Sequence, residues 1–123
     1  MMKYIQFTVL GVPIPKQSLF VGRRGTFRPA RLTAWQDNIA IEARIAIADR
    51  IDEDSFPLQC AIESVDIIYY LPNKRKRDPD NISKAILDAC NHIVWVDDFQ
   101  VSNLHLHKRI DRQNPRIEVT VTW

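Results

Sequence analysis

The chain has 123 residues, of which 46% are hydrophobic and 26% charged, and its formal net charge is +2. These values exclude a disordered, fibrous or low-complexity protein. We therefore expect one domain over residues 1–123, located in the cytoplasm and without a membrane-spanning segment. No apolar run reaches spanning length, and the N-terminus lacks the apolar core of a signal peptide.

The N-terminal quarter of the chain is a basic block, because residues 1–36 contain lysines and arginines but no acid. Residues 3–10 alternate as a strand does, and Pro13 and Pro15 then predict a stiff loop that presents Lys16. The glycines of Gly22-Arg23-Arg24-Gly25 predict a turn. Segregated positive charge is typical of a nucleic-acid-binding protein, although a solvated surface is the alternative.

Two helices and three further strands follow in chain order. A helix is predicted from about residue 31 to 50, a strand from 57 to 71, a helix from 79 to 91, and strands at about 99–109 and 116–123. The side chains expected in the core are Leu32, Trp35, Ile39, Ala43, Ile47, Ala61, Val65, Ile67, Tyr69, Ile82, Ala85, Ile86 and Ala89. The order predicts an α/β (α+β) domain with a mixed β-sheet and two helices. Cys60 and Cys90 are expected to be buried free thiols.

An acidic motif begins directly after the basic run Lys74-Arg75-Lys76-Arg77. It contains Asp78, Asp80 and Lys84, and the pair Asp97-Asp98 lies about one helix later. Carboxylate oxygens can hold a hard divalent cation, and the neighbouring cations can hold a polyanion.

Chain lengths allow the two acidic motifs to meet. A helix from residue 79 to 91 rises roughly 18 Å, and seven extended residues after it span roughly 23 Å. If the chain returns antiparallel to the helix, Asp97 or Asp98 arrives beside Asp78 and Asp80. Such a concentration of carboxylates predicts a Mg²⁺ site. The purely structural alternative is an N-cap at Asp78 and an ion pair between Asp80 and Lys84.

The motifs Asp78-Pro79-Asp80-Asn81-Ile82-Ser83-Lys84, then Asp88, then Asp97-Asp98-Phe99-Gln100-Val101 resemble those of the RusA family of Holliday junction resolvases. The N-terminal Gly11-x-Pro13-x-Pro15-Lys16 is similar to the family's first segment. The resemblance implies a homodimeric, Mg²⁺-dependent endonuclease that makes paired nicks in four-way DNA junctions. It implies Asp78, Asp80, Lys84 and Asp98 as catalytic residues, and as metal ligands Asp78, Asp80 and Asp98 or its neighbour Asp97.

The remaining expectations concern contacts with DNA and with a second copy of the chain. We predict a phosphate clamp at Lys74, Arg75, Lys76 and Arg77, with a second contact region at Lys16, Arg23 and Arg24. A two-fold pair of identical sites suits paired cuts in a four-way junction. Trp95, Trp123 and the last strands are candidates for the dimer surface. His105 and His107 predict an exposed or DNA-facing strand surface rather than a zinc site.

Two rival functions remain open at this point, and a third is disfavoured. The chain could be a non-catalytic nucleic-acid-binding module, in which the acids serve only as caps and ion pairs. It could be a nuclease of the same chemistry that acts on forks, flaps or RNA. A metal-dependent transferase that holds a nucleotide diphosphate through Asp-x-Asp is disfavoured, because the chain is short and lacks a glycine-rich phosphate loop.

Overall fold

The computed structural model describes residues 2–16, 20–22, 25–27, 29–75, 77 and 79–123. Its strands and helices are, in chain order, β1 (Tyr4–Leu10), β2 (Phe20–Gly22), β3 (Gly25–Phe27), α1 (Ala30–Ile47), β4 (Ser64–Leu71), α2 (Pro79–Cys90), β5 (Leu104–Ile110) and β6 (Arg116–Thr122). Short 3-10 turns lie at Glu53–Ser55 and Asp98–Gln100. None of the helices described here is long and apolar enough to cross a membrane.

Four strands form one mixed sheet in the order β1-β6-β4-β5. β6 runs antiparallel to both β1 and β4, whereas β5 runs parallel to β4. The predicted mixed sheet with two helices is therefore confirmed. β2 and β3 form a separate antiparallel pair in which Gly22 faces Gly25, as the predicted turn requires. Arg23 and Arg24 lie outside the described residues.

The core lies between the two helices and one face of the sheet. β1, β4 and β6 alternate between buried and more exposed side chains, because successive residues of a strand point to opposite faces. On α1 the predicted positions Leu32, Trp35, Ile39 and Ala43 are buried, which confirms the apolar stripe. The amide of the buried Gln36 donates to the backbone oxygen of Ala85 at 3.0 Å and so ties α1 to α2.

Three element boundaries differ from the sequence prediction. α1 ends at Ile47 rather than near Arg50, because Ala48 leaves the helical path with a ψ of 144° and Asp49 then adopts a positive φ of 66°. The predicted strand over 57–71 is regular only from Ser64, and Ala61 is exposed. The strand expected from residue 99 begins at Leu104, because residues 98–100 form a 3-10 turn.

Two further expectations about burial need correction. Cys60 is exposed rather than buried. Cys90 is buried as predicted, and loss of solvation raises the pKa of its thiol to about 12, which makes it an inert thiol. Trp95 is fully buried in the core, so it is wrong as a candidate for a dimer surface. Trp123 is partly buried and packs edge-on against Phe56, with ring centroids 5.5 Å apart.

Candidate metal and nucleic-acid site

Helix α2 carries charged side chains at three successive turns on the face opposite its buried residues. Asp80 and Lys84 are exposed and Asp88 is half-buried, whereas Ile82 and Ile86 are fully buried. The spacing of four residues places the three charges in one row. Asp78, which the motif places just before the helix, lies outside the described residues, so its predicted roles as N-cap and metal ligand stay predictions.

The chain returns from α2 through a compact turn rather than the extended segment that was expected. Trp95 anchors this turn, because its indole Nε1 donates to Asn91 Oδ1 at 2.7 Å while its backbone oxygen accepts from His92 N at 2.7 Å. The return then leads directly into the 3-10 turn that begins at Asp98. A buried tryptophan thus determines where the second acidic motif starts.

Gln100 fixes the second acidic motif in place, a role that the sequence analysis missed. Its Oε1 accepts from Asp97 N at 2.9 Å, and its Nε2 donates to the backbone oxygens of Leu58 and Cys60 at 2.8 Å each. The adjacent Val101 packs against the core and pairs with Ile62. Gln100 and Val101 therefore hold the turn together with Asp97, which forms a capping box with Gln100, and this leaves Asp98 for another task.

Asp98 sits among like charges. Partial burial raises the pKa of its carboxyl above the ordinary range, and hydrogen bonding with Asp97 and the negative charges of Asp97 and Asp88 raise it further. The positive charge of Lys16 acts in the opposite direction. A carboxylate held in such surroundings is stabilised by a bound cation, since the cation offsets the repulsion among the acids.

Lys16 comes into this cluster from the N-terminal loop. Its backbone N donates to Asn81 O at 2.9 Å, and its ammonium forms an ion pair with the carboxylate of Asp88. Their side chains are only 28% and 27% exposed. The structure therefore places Lys16 beside the acids of α2, whereas its predicted contact with DNA remains a prediction.

Asp80 lies near the end of β4. Burial raises the pKa of the Tyr69 hydroxyl, and the negative charge of Asp80 contributes to the same shift. Lys84, one turn farther along α2, is exposed. Among the described residues, no salt bridge joins Asp80 to Lys84, so the alternative ion pair between them receives no support.

The basic run between β4 and α2 is organised by Asn73. Its Oδ1 accepts from Arg75 N at 2.9 Å and from the Arg77 guanidinium at 3.2 Å. Lys74 and Arg75 are exposed, and Arg77 is half-buried, while Lys76 lies outside the described residues. Two exposed cations thus stand next to the start of α2, where a phosphate backbone could reach both them and Asp80.

The donor chemistry of the site fits a hard divalent cation. Asp80, Asp97 and Asp98 offer carboxylate oxygens, which Mg²⁺ prefers, and two of the three are exposed. Among the residues that the structure describes, no group of three acids, histidines or cysteines is by itself close enough to hold a metal. The predicted ligand set includes Asp78, so the full set is not tested.

The histidines of β5 form no such site. His105 and His107 are both exposed, as predicted for a solvent-facing strand surface. His105 Nδ1 lies 2.9 Å from an oxygen of Asp66 on the neighbouring strand β4. This pairing belongs to the sheet and is separate from the acids of α2.

Comparison with known proteins identifies relatives that share most of the chain. The family model described as "Endodeoxyribonuclease RusA" matches residues 11–122. A crossover junction endodeoxyribonuclease RusA of Aquifex aeolicus is 31% identical over 115 residues, which cover 90% of this chain and 85% of that protein. The proteins of that name in Enterobacteria phage 82 and Escherichia coli K12 are 33% and 32% identical, each covering 72% of this chain and 69% of the relative.

Proposed function

The chain belongs to the RusA family of endodeoxyribonucleases, and we propose that it is a Mg²⁺-dependent enzyme that resolves four-way DNA junctions by paired, symmetric nicks. The observation that carries this proposal is the position of Asp98. The anchored 3-10 turn holds its carboxylate against Asp97 and within the field of Asp88, in a charge arrangement that favours a bound cation. Asp88 is ion-paired with Lys16 and Asp97 caps the 3-10 turn, so Asp98 is the acid of this group whose position most needs another explanation.

Asp78, Asp80 and Asp98 would hold the metal, and Asp97 is the alternative to Asp98. When bound, the metal supplies Lewis-acid activation of a water molecule and of the phosphate. Lys84, on the same row of α2 as Asp80, would place an ammonium beside the phosphate and stabilise the negative charge that builds up there. The exposed Lys74 and Arg75 would hold the DNA backbone, together with Lys76, Arg77, Arg23 and Arg24.

A homodimer is part of the proposal, because two symmetric nicks require two identical sites related by a two-fold axis. The partly buried Trp123 and the last strands remain candidates for the surface that pairs. A DNA substrate also agrees with the predicted cytoplasmic location and with a single catalytic domain over residues 1–123, and both stay predictions.

A panel of labelled DNA substrates tests this function. Purified protein is incubated with a four-way junction, a fork, a flap, a linear duplex and an RNA duplex, each with Mg²⁺ and with chelator. We expect symmetric nicks in the four-way junction only, and only with Mg²⁺. Binding without cleavage would favour the non-catalytic module, and preferential cleavage of forks, flaps or RNA would favour a nuclease with another substrate.

The variant Asp80→Asn separates catalysis from binding. We expect cleavage to be abolished while junction binding is kept or strengthened, because removing a carboxylate lowers the repulsion of the DNA backbone. Gel-shift titration in chelator and cleavage assays in Mg²⁺ measure the two quantities on one preparation. Loss of binding in parallel with cleavage would contradict the assigned role of Asp80.

A further inference from the structure

Lys16 differs from Lys74 and Arg75 in burial, and it has a carboxylate as its partner. Lys74 and Arg75 are exposed, as side chains that bind a DNA backbone from solution normally are. Lys16 and its partner Asp88 are each less than one-third exposed, and their ion pair joins the N-terminal loop to α2. A half-buried ammonium held by a carboxylate has a fixed position, because the pair restricts both side chains.

The backbone on both sides of Lys16 is also fixed. Gly11, with a φ of 115°, turns the chain after β1, and its N donates to Pro115 O at 2.9 Å. Pro13 is buried, Ile14 packs against the core, and Lys16 N donates to Asn81 O. The loop is therefore attached to the sheet at one end and to α2 at the other, so its backbone brings the ammonium to the acids.

From these contacts we propose that Lys16 is a second cation of the active site, held in place by Asp88, and that it acts on the same phosphate as the metal rather than on distant DNA backbone. The inference rests on the proposed function, since it assigns Lys16 and Asp88 to that reaction. It adds two residues to the machinery: Lys16 as a cation that contacts the phosphate, and Asp88 as the residue that positions it.

A resident ammonium has opposite effects on the metal and on the phosphate. It lies within electrostatic reach of Asp98, so it opposes a divalent cation at the neighbouring carboxylates. The same positive charge stabilises the phosphate as negative charge builds up in the transition state. Removing it should therefore tighten Mg²⁺ binding and slow cleavage.

The test measures both quantities in Lys16→Gln. We expect Mg²⁺, titrated calorimetrically without DNA, to bind about three- to tenfold more tightly. The single-turnover cleavage rate of a four-way junction, at saturating Mg²⁺ and DNA, should fall about 10- to 100-fold. Lys16→Arg, which keeps the charge, should restore the wild-type affinity for Mg²⁺ and most of the rate.

Two further variants make the result specific. Asp88→Asn removes a negative charge and releases Lys16, so it should weaken Mg²⁺ binding and also slow cleavage. Lys3→Gln removes an exposed lysine that precedes the edge strand β1, at the opposite end of that strand from the loop that carries Lys16, and should change neither quantity. If Lys16→Gln does not fold, the comparison of Asp88→Asn with Lys16→Arg provides the test, and wild-type behaviour of Asp88→Asn would overturn the inference.

Several outcomes would overturn the proposal. Lys16→Gln could match Lys3→Gln, it could weaken both Mg²⁺ binding and thermal stability, or it could weaken only DNA binding while the saturated rate stays unchanged. The second result would make Lys16 a loop anchor, and the third an ordinary backbone contact. A wild-type protein that neither binds Mg²⁺ nor cleaves would overturn the proposed function itself, which distinguishes the two failures.

Discussion

Two aspartates in this molecule, Asp98 and Asp111, have opposite surroundings. Asp111 Oδ1 accepts backbone N–H groups of Gln113 and Asn114 at 3.2 and 3.1 Å, and its Oδ2 accepts from Arg116 at 3.0 Å. The Asn114 hydrogen bond and the Arg116 guanidinium lower the pKa of Asp111. The pKa of Asp98 is instead raised by burial and by neighbouring acids.

Arg116 completes the arrangement around Asp111. Its Nε donates to Glu118 at 3.1 Å, and its guanidinium lies 3.7 Å from the centroid of the Tyr70 ring. Each charge in this network has a partner of opposite sign, and the folded state gains from keeping it ionised. Asp111 is thus surrounded by hydrogen-bond donors and positive charge, whereas burial and neighbouring acids disfavour the charged form of Asp98, and Lys16 offsets this only in part.

The largest expected effect is the loss of DNA cleavage in the variant Asp98→Asn. We expect the cleavage rate to fall about 10³-fold, because loss of a metal ligand removes several kcal/mol of transition-state stabilisation. Thermal unfolding in chelator should show that the same variant is more stable than wild type, since a disfavoured negative charge has been removed. Asp111→Asn is the matched control, and it should retain cleavage and lose stability. Equal effects of the two substitutions would remove the distinction between the two sites.

A smaller loss of activity is expected for Gln100→Ala. Its amide joins the 3-10 turn to Leu58 and Cys60, so its removal leaves Asp98 less well oriented. We expect cleavage to fall about 10- to 100-fold, as for other residues that orient a metal ligand, with a weaker affinity for Mg²⁺. Measuring the cleavage rate over a series of Mg²⁺ concentrations separates the loss of maximal rate from the loss of Mg²⁺ affinity. Full activity at wild-type Mg²⁺ concentrations would show that Gln100 has no such role.

Arg116→Gln should affect stability rather than catalysis. The substitution removes the ion pairs with Asp111 and Glu118 and the contact with Tyr70, so the free energy of unfolding should fall. Urea unfolding measures this loss, and single-turnover cleavage should remain within twofold of wild type. A large loss of cleavage with unchanged stability would place the Arg116 network in the functional site.

The smallest effect is a pH dependence of opposite sign in the two regions. The lowered pKa of Asp111 contributes stability that is present above the ordinary carboxyl pKa and is lost as the pH falls through the folded value. The raised pKa of Asp98 gives a cost that is fully present above its folded pKa and disappears as the pH falls through the ordinary carboxyl pKa.

Unfolding of wild type, Asp98→Asn and Asp111→Asn over a series of pH values in chelator measures these dependences. The gain of Asp98→Asn over wild type should shrink on acidification, and so should the deficit of Asp111→Asn, but at a lower pH. A gain for Asp98→Asn that grows as the pH falls would contradict the raised pKa.

Local patterns were sufficient to predict the helices, the mixed sheet and most of the core. Leu32, Trp35 and Ile39 follow the helical period, and Val65 and Ile67 follow the period of a strand. In both cases the spacing of apolar residues predicts burial, because these residues face the core. Element ends were less accurate, because α1 stops where the backbone of Ala48 and Asp49 leaves the helical conformation rather than where an apolar pattern ends.

The chain lengths predicted that the second acidic motif could return to α2, but the route depends on contacts between distant residues. The indole of Trp95 and the amide of Gln100 fix the turn through partners that the one-dimensional pattern does not identify. Lys16 could not be placed for the same reason, since its partner Asp88 is 72 residues away. The acidic motifs did indicate that the site would contain carboxylates and a lysine.

Calorimetric titration of Mg²⁺ into the DNA-free wild type, Asp98→Asn and Asp111→Asn tests most directly whether the acids of α2 and the 3-10 turn hold the metal. We expect saturable binding in the wild type, loss of that binding in Asp98→Asn, and wild-type binding in Asp111→Asn. Unchanged Mg²⁺ binding in Asp98→Asn, or equal loss in both variants, would contradict this expectation.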